Sequence, residues 1–114
     1  MQSEKAFSKK VIPRLKQVPN SFWFVPPTRS RRGIPDIIGC VGGQFVAIEL
    51  KRSGARPDKK RETLQEWVCN AIKDAGGLAF FRATPETIDQ IIEHLIMLGE
   101  EKCQKVLKKP KKPS

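Results

Sequence analysis

Residues 34–51 read IPDIIGCVGGQFVAIELK, and the fold turns on how this stretch pairs with itself. It is almost wholly apolar, yet it carries Asp36, Glu49 and Lys51. Apolar runs of this length fill cores, where an uncompensated charge is expensive. Gly42 and Gly43 tolerate the positive φ angles of a tight turn, so the spacing predicts a hairpin of 37–41 and 44–51. With the two glycines as its loop, Val41 faces Gln44. Stepping outward then brings Asp36 opposite Glu49 on one face of the sheet. Alternation makes theirs a non-hydrogen-bonded pair, the closer kind, with Cβ atoms about 4.5–5.5 Å apart in an ideal ladder. Lys51 projects from the same face about 7 Å further along. Phe45 and Ala47 give that face an apolar floor, and Val46, Ile48 and Leu50 supply core on the other. A slip of one residue would send the acids to opposite faces.

Two carboxylates this close repel by about 4 kcal/mol at an effective dielectric of about 20. Something positive belongs between them. Lys51 alone would make a structural ion pair; a divalent cation would make a site. Every ligand on offer is oxygen, which suits Mg²⁺ or Mn²⁺ and not zinc. Such an ion polarises a phosphoryl oxygen and acidifies a bound water, which fits phosphodiester hydrolysis. Lys51 could orient the attacking water or stabilise charge in the transition state.

Working outward, SEKAFSKKVIPRLKQ predicts an opening helix with Ser3 as N-cap and Phe7, Val11 and Leu15 on its inner side. Pro13 is expected to kink or split it. FWFV (22–25) reads as a strand and PPTRSRRG (26–33) as a loop. An amphipathic helix is expected from about Pro57 to Ala75, with Asp58 as N-cap and Leu64, Trp67, Val68, Ala71, Ile72 and Ala75 as its stripe. Gly76-Gly77 ends it. LAFFR (78–82) is a further strand, and Thr84-Pro85 caps a last helix with Ile88, Ile91, Ile92 and Leu95 inside. The order is α-β-β-β-α-β-α. A strand, helix and strand in succession predict a parallel crossover, hence an α/β fold with a mixed four-stranded sheet flanked by helices.

At 114 residues, with 39% hydrophobic content, the chain suits one domain. That domain is expected over 1–98, with a short helix or basic tail over 99–114. The net charge is +10, from 22 basic and 12 acidic residues, and it points to a polyanion. Four of those lysines lie in the terminal KKPKKPS, so the remainder is still basic at +6. The three cysteines, Cys40, Cys69 and Cys103, are odd in number and far apart, which implies a reducing compartment without a disulfide framework. No apolar run approaches the roughly 20 residues of a membrane span, and MQSEKAFSKK lacks the apolar stretch of a secretory signal. A cytoplasmic protein that does not contact membrane is expected.

GIPDIIG, followed by AIELK after a short hairpin, resembles the PD-(D/E)XK nuclease motif. More specifically it looks like the VRR-NUC group, the virus-type replication-repair nucleases, some of which resolve branched DNA. The similarity runs from about Ser3 to Leu95 and includes the α-β-β-β-α-β order of that restriction-endonuclease-like core. The resemblance implies that Asp36 and Glu49 bind metal with the backbone carbonyl of Leu50, and that Lys51 is the catalytic lysine. It implies a catalytic role for Gln65 and offers Glu4 as a further metal ligand. Glu4 also reads as a favourable acid in the first turn of a helix, and Gln65 as a solvated residue at the margin of the stripe.

Arg29, Arg31 and Arg32 lead into the first acid; Arg52, Arg56, Lys59, Lys60 and Arg61 follow the lysine into the next helix. Both segments flank the acidic pair and are expected to bind nucleic acid through phosphates, sensitive to salt and shape more than to sequence. A plain solvated surface is the alternative. There is no tyrosine for a tyrosine-linked strand transfer, and the one histidine, His94, falls off the apolar face of its helix. No Gly-x-x-x-x-Gly-Lys-Ser/Thr loop is present, so no nucleotide cofactor is expected. Trp23 and Trp67 read as core. The expectation is a Mg²⁺-dependent DNA endonuclease, with Mn²⁺ able to substitute. The resemblance adds a preference for branched, flapped or four-way DNA in phage or bacterial replication and repair. Paired incision would call for a homodimer. The rivals are a non-catalytic nucleic-acid-binding module and an RNA-processing nuclease.

Overall fold

The computed structural model describes residues 4–27, 33–51 and 59–103. The elements run α1 (Glu4–Leu15), β1 (Ser21–Phe24), β2 (Ile37–Val41), β3 (Gln44–Leu50), α2 (Lys59–Asp74), β4 (Leu78–Ala83) and α3 (Ile88–Cys103). This is the order expected from the sequence. One four-stranded sheet has the spatial order β1-β2-β3-β4. The first three strands are antiparallel neighbours and β3–β4 is parallel, so the sheet is mixed.

The hairpin follows its glycines. Gly42 and Gly43 have φ of 58° and 87°, the doubly left-handed turn that matches strand twist and that residues with a Cβ adopt reluctantly. The register runs from Val41 opposite Gln44 to Ile37 opposite Ile48. It is the predicted one.

Alternation then divides the sheet. Ile37, Val41, Val46, Ile48, Leu50 and Ala83 face the main core, which α1 completes with Phe7, Val11 and Leu15 and α3 with Ile88, Ile92 and Leu95. A smaller cluster on the other face joins Ala47 and Ala79 to Cys69 of α2. An exposed ion pair between Arg14 and Asp89, at 2.7 Å, links α1 to α3; pairs of this kind contribute about 0–1 kcal/mol.

Three expectations are corrected. Pro13 does not split α1: the helix runs from Glu4 to Leu15 with Pro13 on its exposed side, the lost N–H and ring contact fall on the turn before it, and Lys16 still donates to Ile12 at 3.1 Å. Trp67 is 67% exposed instead of core. The stripe of α2 is rotated: Gln65 and Cys69 are buried, while Leu64, Ala71 and Ala75 are exposed. Trp23 is half-buried against the main core, and His94 is exposed with its ring edge-on to Phe80. Among the described residues no helix is long and apolar enough to cross a membrane.

Candidate active site

The two predicted acids lie where the hairpin ladder ends, each with its own partner. Pairing stops at Ile37–Ile48, one step short of the ideal Asp36–Glu49 pair. Leu50 N–H therefore has no ladder acceptor on β2, and it donates to Asp36 Oδ2 at 2.8 Å. The aspartate is thus bound to β3 at the residue following Glu49. Gly33 makes this approach possible. Its φ is +85°, and a Cβ there would come within 2.8 Å of Leu64 Cγ, so the entering segment passes tightly against α2.

Glu49 is only 1% exposed. It follows Ala47 on the α2 face, and Gln65, 3% exposed, donates from Nε2 to Glu49 Oε1 at 2.8 Å. Gln65 Oε1 is buried with no hydrogen-bond partner among the described residues. The amide that periodicity set at the margin of the helix is at the centre of its buried side. Lys51, 7% exposed, follows directly, and its backbone N–H donates to Ala83 O at 2.7 Å.

The neighbouring strand bends to suit this. Between Ile48–Phe80 and Leu50–Ala83 the parallel register shifts by one residue on β4. Arg82, in that irregularity, has φ of 60°, the left-handed conformation that bulges recruit beside functional sites. Cys69 lies close enough to feel the site: burial first, and then the Glu49 charge, push its thiol up from the ordinary value.

Asp36 is thus bonded to the Leu50 backbone and Gln65 to Glu49, with Lys51 next along the chain. Glu4 opens α1, but its side chain lies outside the described residues, as do those of Lys59, Lys60 and Arg61 in the first turn of α2. Ser3, Arg29, Arg31, Arg32, Arg52, Arg56, Pro57, Asp58 and the terminal KKPKKPS also lie outside them.

No family model matches the sequence, and no curated protein does. A solved structure does. A VRR_NUC domain aligns with a TM-score of 0.61 over 80% of this chain and 95% of that one, at 20% identity. The fold is that of a VRR-NUC domain. What the VRR-NUC fold places at the mouth of the hairpin is an oxygen-rich cluster. Its donor set fits a hard divalent cation: two carboxylates, a strand-end carbonyl and a buried amide oxygen without a partner. Among the described residues no three His, Cys, Asp or Glu side chains gather. Two carboxylates with several retained waters are the ordinary Mg²⁺ arrangement.

Proposed function

We propose that the chain is a Mg²⁺-dependent DNA endonuclease centred on Asp36, Glu49 and Lys51. One observation carries the reading: two ionisable residues on either side of Leu50, Glu49 and Lys51, are 1% and 7% exposed at the end of β3, beside the Leu50 N–H that Asp36 accepts from. Burying charge costs several kcal/mol per ion, a large share of the roughly 5–15 kcal/mol that holds a domain together. A fold retains such a cluster where chemistry needs it.

Asp36, Glu49 and the Leu50 carbonyl are the residues that would hold Mg²⁺, with Mn²⁺ able to substitute and Glu4 as an additional ligand. When bound, the ion supplies Lewis-acid polarisation of the phosphoryl oxygen and acidifies the attacking water. Gln65 fixes the rotamer of Glu49 through its Nε2–H. Lys51 donates to the water or to a non-bridging phosphoryl oxygen, where negative charge grows in the transition state. Arg29, Arg31, Arg32, Arg52, Arg56, Lys59, Lys60 and Arg61, which flank the acids in sequence, are the residues proposed to contact phosphates, so binding weakens steeply with salt. The substrates proposed are branched or flapped DNA in replication and repair, including that of phage, with two copies of the chain for paired incision.

The test is incubation of the protein with Mg²⁺ and linear, flapped and four-way DNA, alongside Glu49→Ala and Lys51→Ala. Cleavage that both variants lose is the expected result. Binding without cleavage would instead make the chain a non-catalytic module, and cleavage of RNA alone an RNA-processing nuclease.

A further inference from the structure

The α2 side of the sheet is only partly covered. α2 packs on β4 and β3, with Ile38 of β2 at the margin of the cluster beneath it, and the side chains of β1 on that face are left exposed. Along β1 the side chains alternate: Trp23 turns to the main core, while Phe22 and Phe24 turn the other way and are 70% and 49% exposed. The register places Phe22 opposite Cys40 and Phe24 opposite Ile38. It carries those rows across to Phe45, itself 44% exposed, and to Ala47. The following row along the sheet is that of Asp36 and Glu49. The aromatic face thus leads into the acidic site, its nearer row about 7 Å away by strand geometry.

We infer that this open aromatic face stacks unpaired bases of the nucleic-acid strand entering the acidic site. The inference rests on the nuclease reading and adds the surface that would hold the unpaired bases of its substrate, those of a single-stranded segment beside the duplex. Exposed phenylalanines on an edge strand invite aggregation unless a partner uses them. Three features favour bases as that partner. All three large side chains are aromatic rings, and every base has a π-face that stacks on a ring whatever the sequence. The +10 chain attracts a polyanion. The face is also continuous with the site where the phosphodiester would be cut. A duplex keeps its base faces within its own stack and cannot use this surface.

The test measures binding by fluorescence anisotropy without divalent metal, so that cleavage does not enter. The full chain is titrated against an oligothymidine, the same strand carrying abasic positions, and a blunt duplex. Phe22→Ala/Phe24→Ala should weaken oligothymidine binding by about 10-fold or more while changing duplex binding by less than about 2-fold. Wild type on the abasic strand should bind as weakly as the variant on the intact one, and Phe22→Trp/Phe24→Trp should retain affinity. Both side chains are largely exposed, and unchanged melting of the variants shows that folding is intact. Equal losses on strand and duplex would overturn the inference, as would no strand binding by wild type. So would a wild-type dimer that the double alanine variant turns into a monomer, since the face would then be an interface between copies. Base-dependent binding without cleavage under Mg²⁺ would sink the nuclease reading and leave this surface standing; cleavage without base dependence would do the reverse.

Discussion

The two faces of the sheet solve different problems with neighbouring residues. Toward α1 and α3, Ile48 and Leu50 close against Leu15 and Leu95 in a continuous apolar core. Toward α2, the residue between them, Glu49, is as deeply buried but ionisable, and its partner is an amide. Burial on the first face releases apolar surface from water and stabilises the chain by about 1.5–3 kcal/mol per large side chain. Burial on the second is tolerated only because hydrogen bonds offset part of the desolvation. The difference teaches that strand period alone can set an apolar core residue and a buried ionisable one side by side: even positions of β3 face the main core and odd ones face α2.

If the second face is where chemistry resides, its removal should damage activity far more than folding. Glu49→Gln keeps shape and the Gln65 contact, and cleavage should fall by at least about 1,000-fold, roughly 4 kcal/mol of transition-state stabilisation. Its midpoint of unfolding in urea should hold or rise, since a buried charge has gone. A large loss of stability with cleavage retained would break the comparison. The first face should behave in the opposite way: Leu95→Ala should lose about 2–5 kcal/mol by urea unfolding, through transfer and cavity terms, with the activity of the surviving folded fraction close to wild type.

Gln65 sharpens the boundary between the two. Gln65→Leu removes the donor to a buried carboxylate, and a loss of about 1–3 kcal/mol in stability is expected together with slower cleavage. Cys69 offers a pH test of the same face. Its folded thiol is held above the ordinary 9.0 by burial and then by the Glu49 charge. Below that value the thiol is neutral in both states. As pH rises above it the unfolded chain ionises first, so stability should fall through that window. Melting curves on either side should show the decline in wild type and a shallower one in Cys69→Ala. The smallest effect is expected at Trp67: exposed on α2, its replacement by alanine should alter stability by no more than about 0.5 kcal/mol.

Much of this was legible from residue order. The glycine turn, the register from Val41–Gln44 to Ile37–Ile48, and the inner faces of α1 and α3 follow from period and turn chemistry, and each is a local property; that Asp36 leaves the ladder to bond Leu50 N–H is not. That Pro13 leaves α1 in one piece was not legible, because local propensity counts a lost bond and not the packing of Phe7, Val11 and Leu15 that holds the helix to the core. The rotation of α2 was out of reach for another reason. Its apolar residues cover a wide arc, and periodicity alone does not say which part of that arc meets the sheet.

What the sequence by itself determined is the hairpin and its register as far as Ile37 opposite Ile48, because two left-handed glycines leave a strand pair one register. Only the tertiary structure decided which way α2 turns, placing Gln65 over Glu49 and Trp67 in solvent. It also decided that α2 stops short of β1 and leaves Phe22 and Phe24 uncovered. Those outcomes depend on how far one element reaches across another, a quantity set by packing between distant segments and carried by no single stretch of chain.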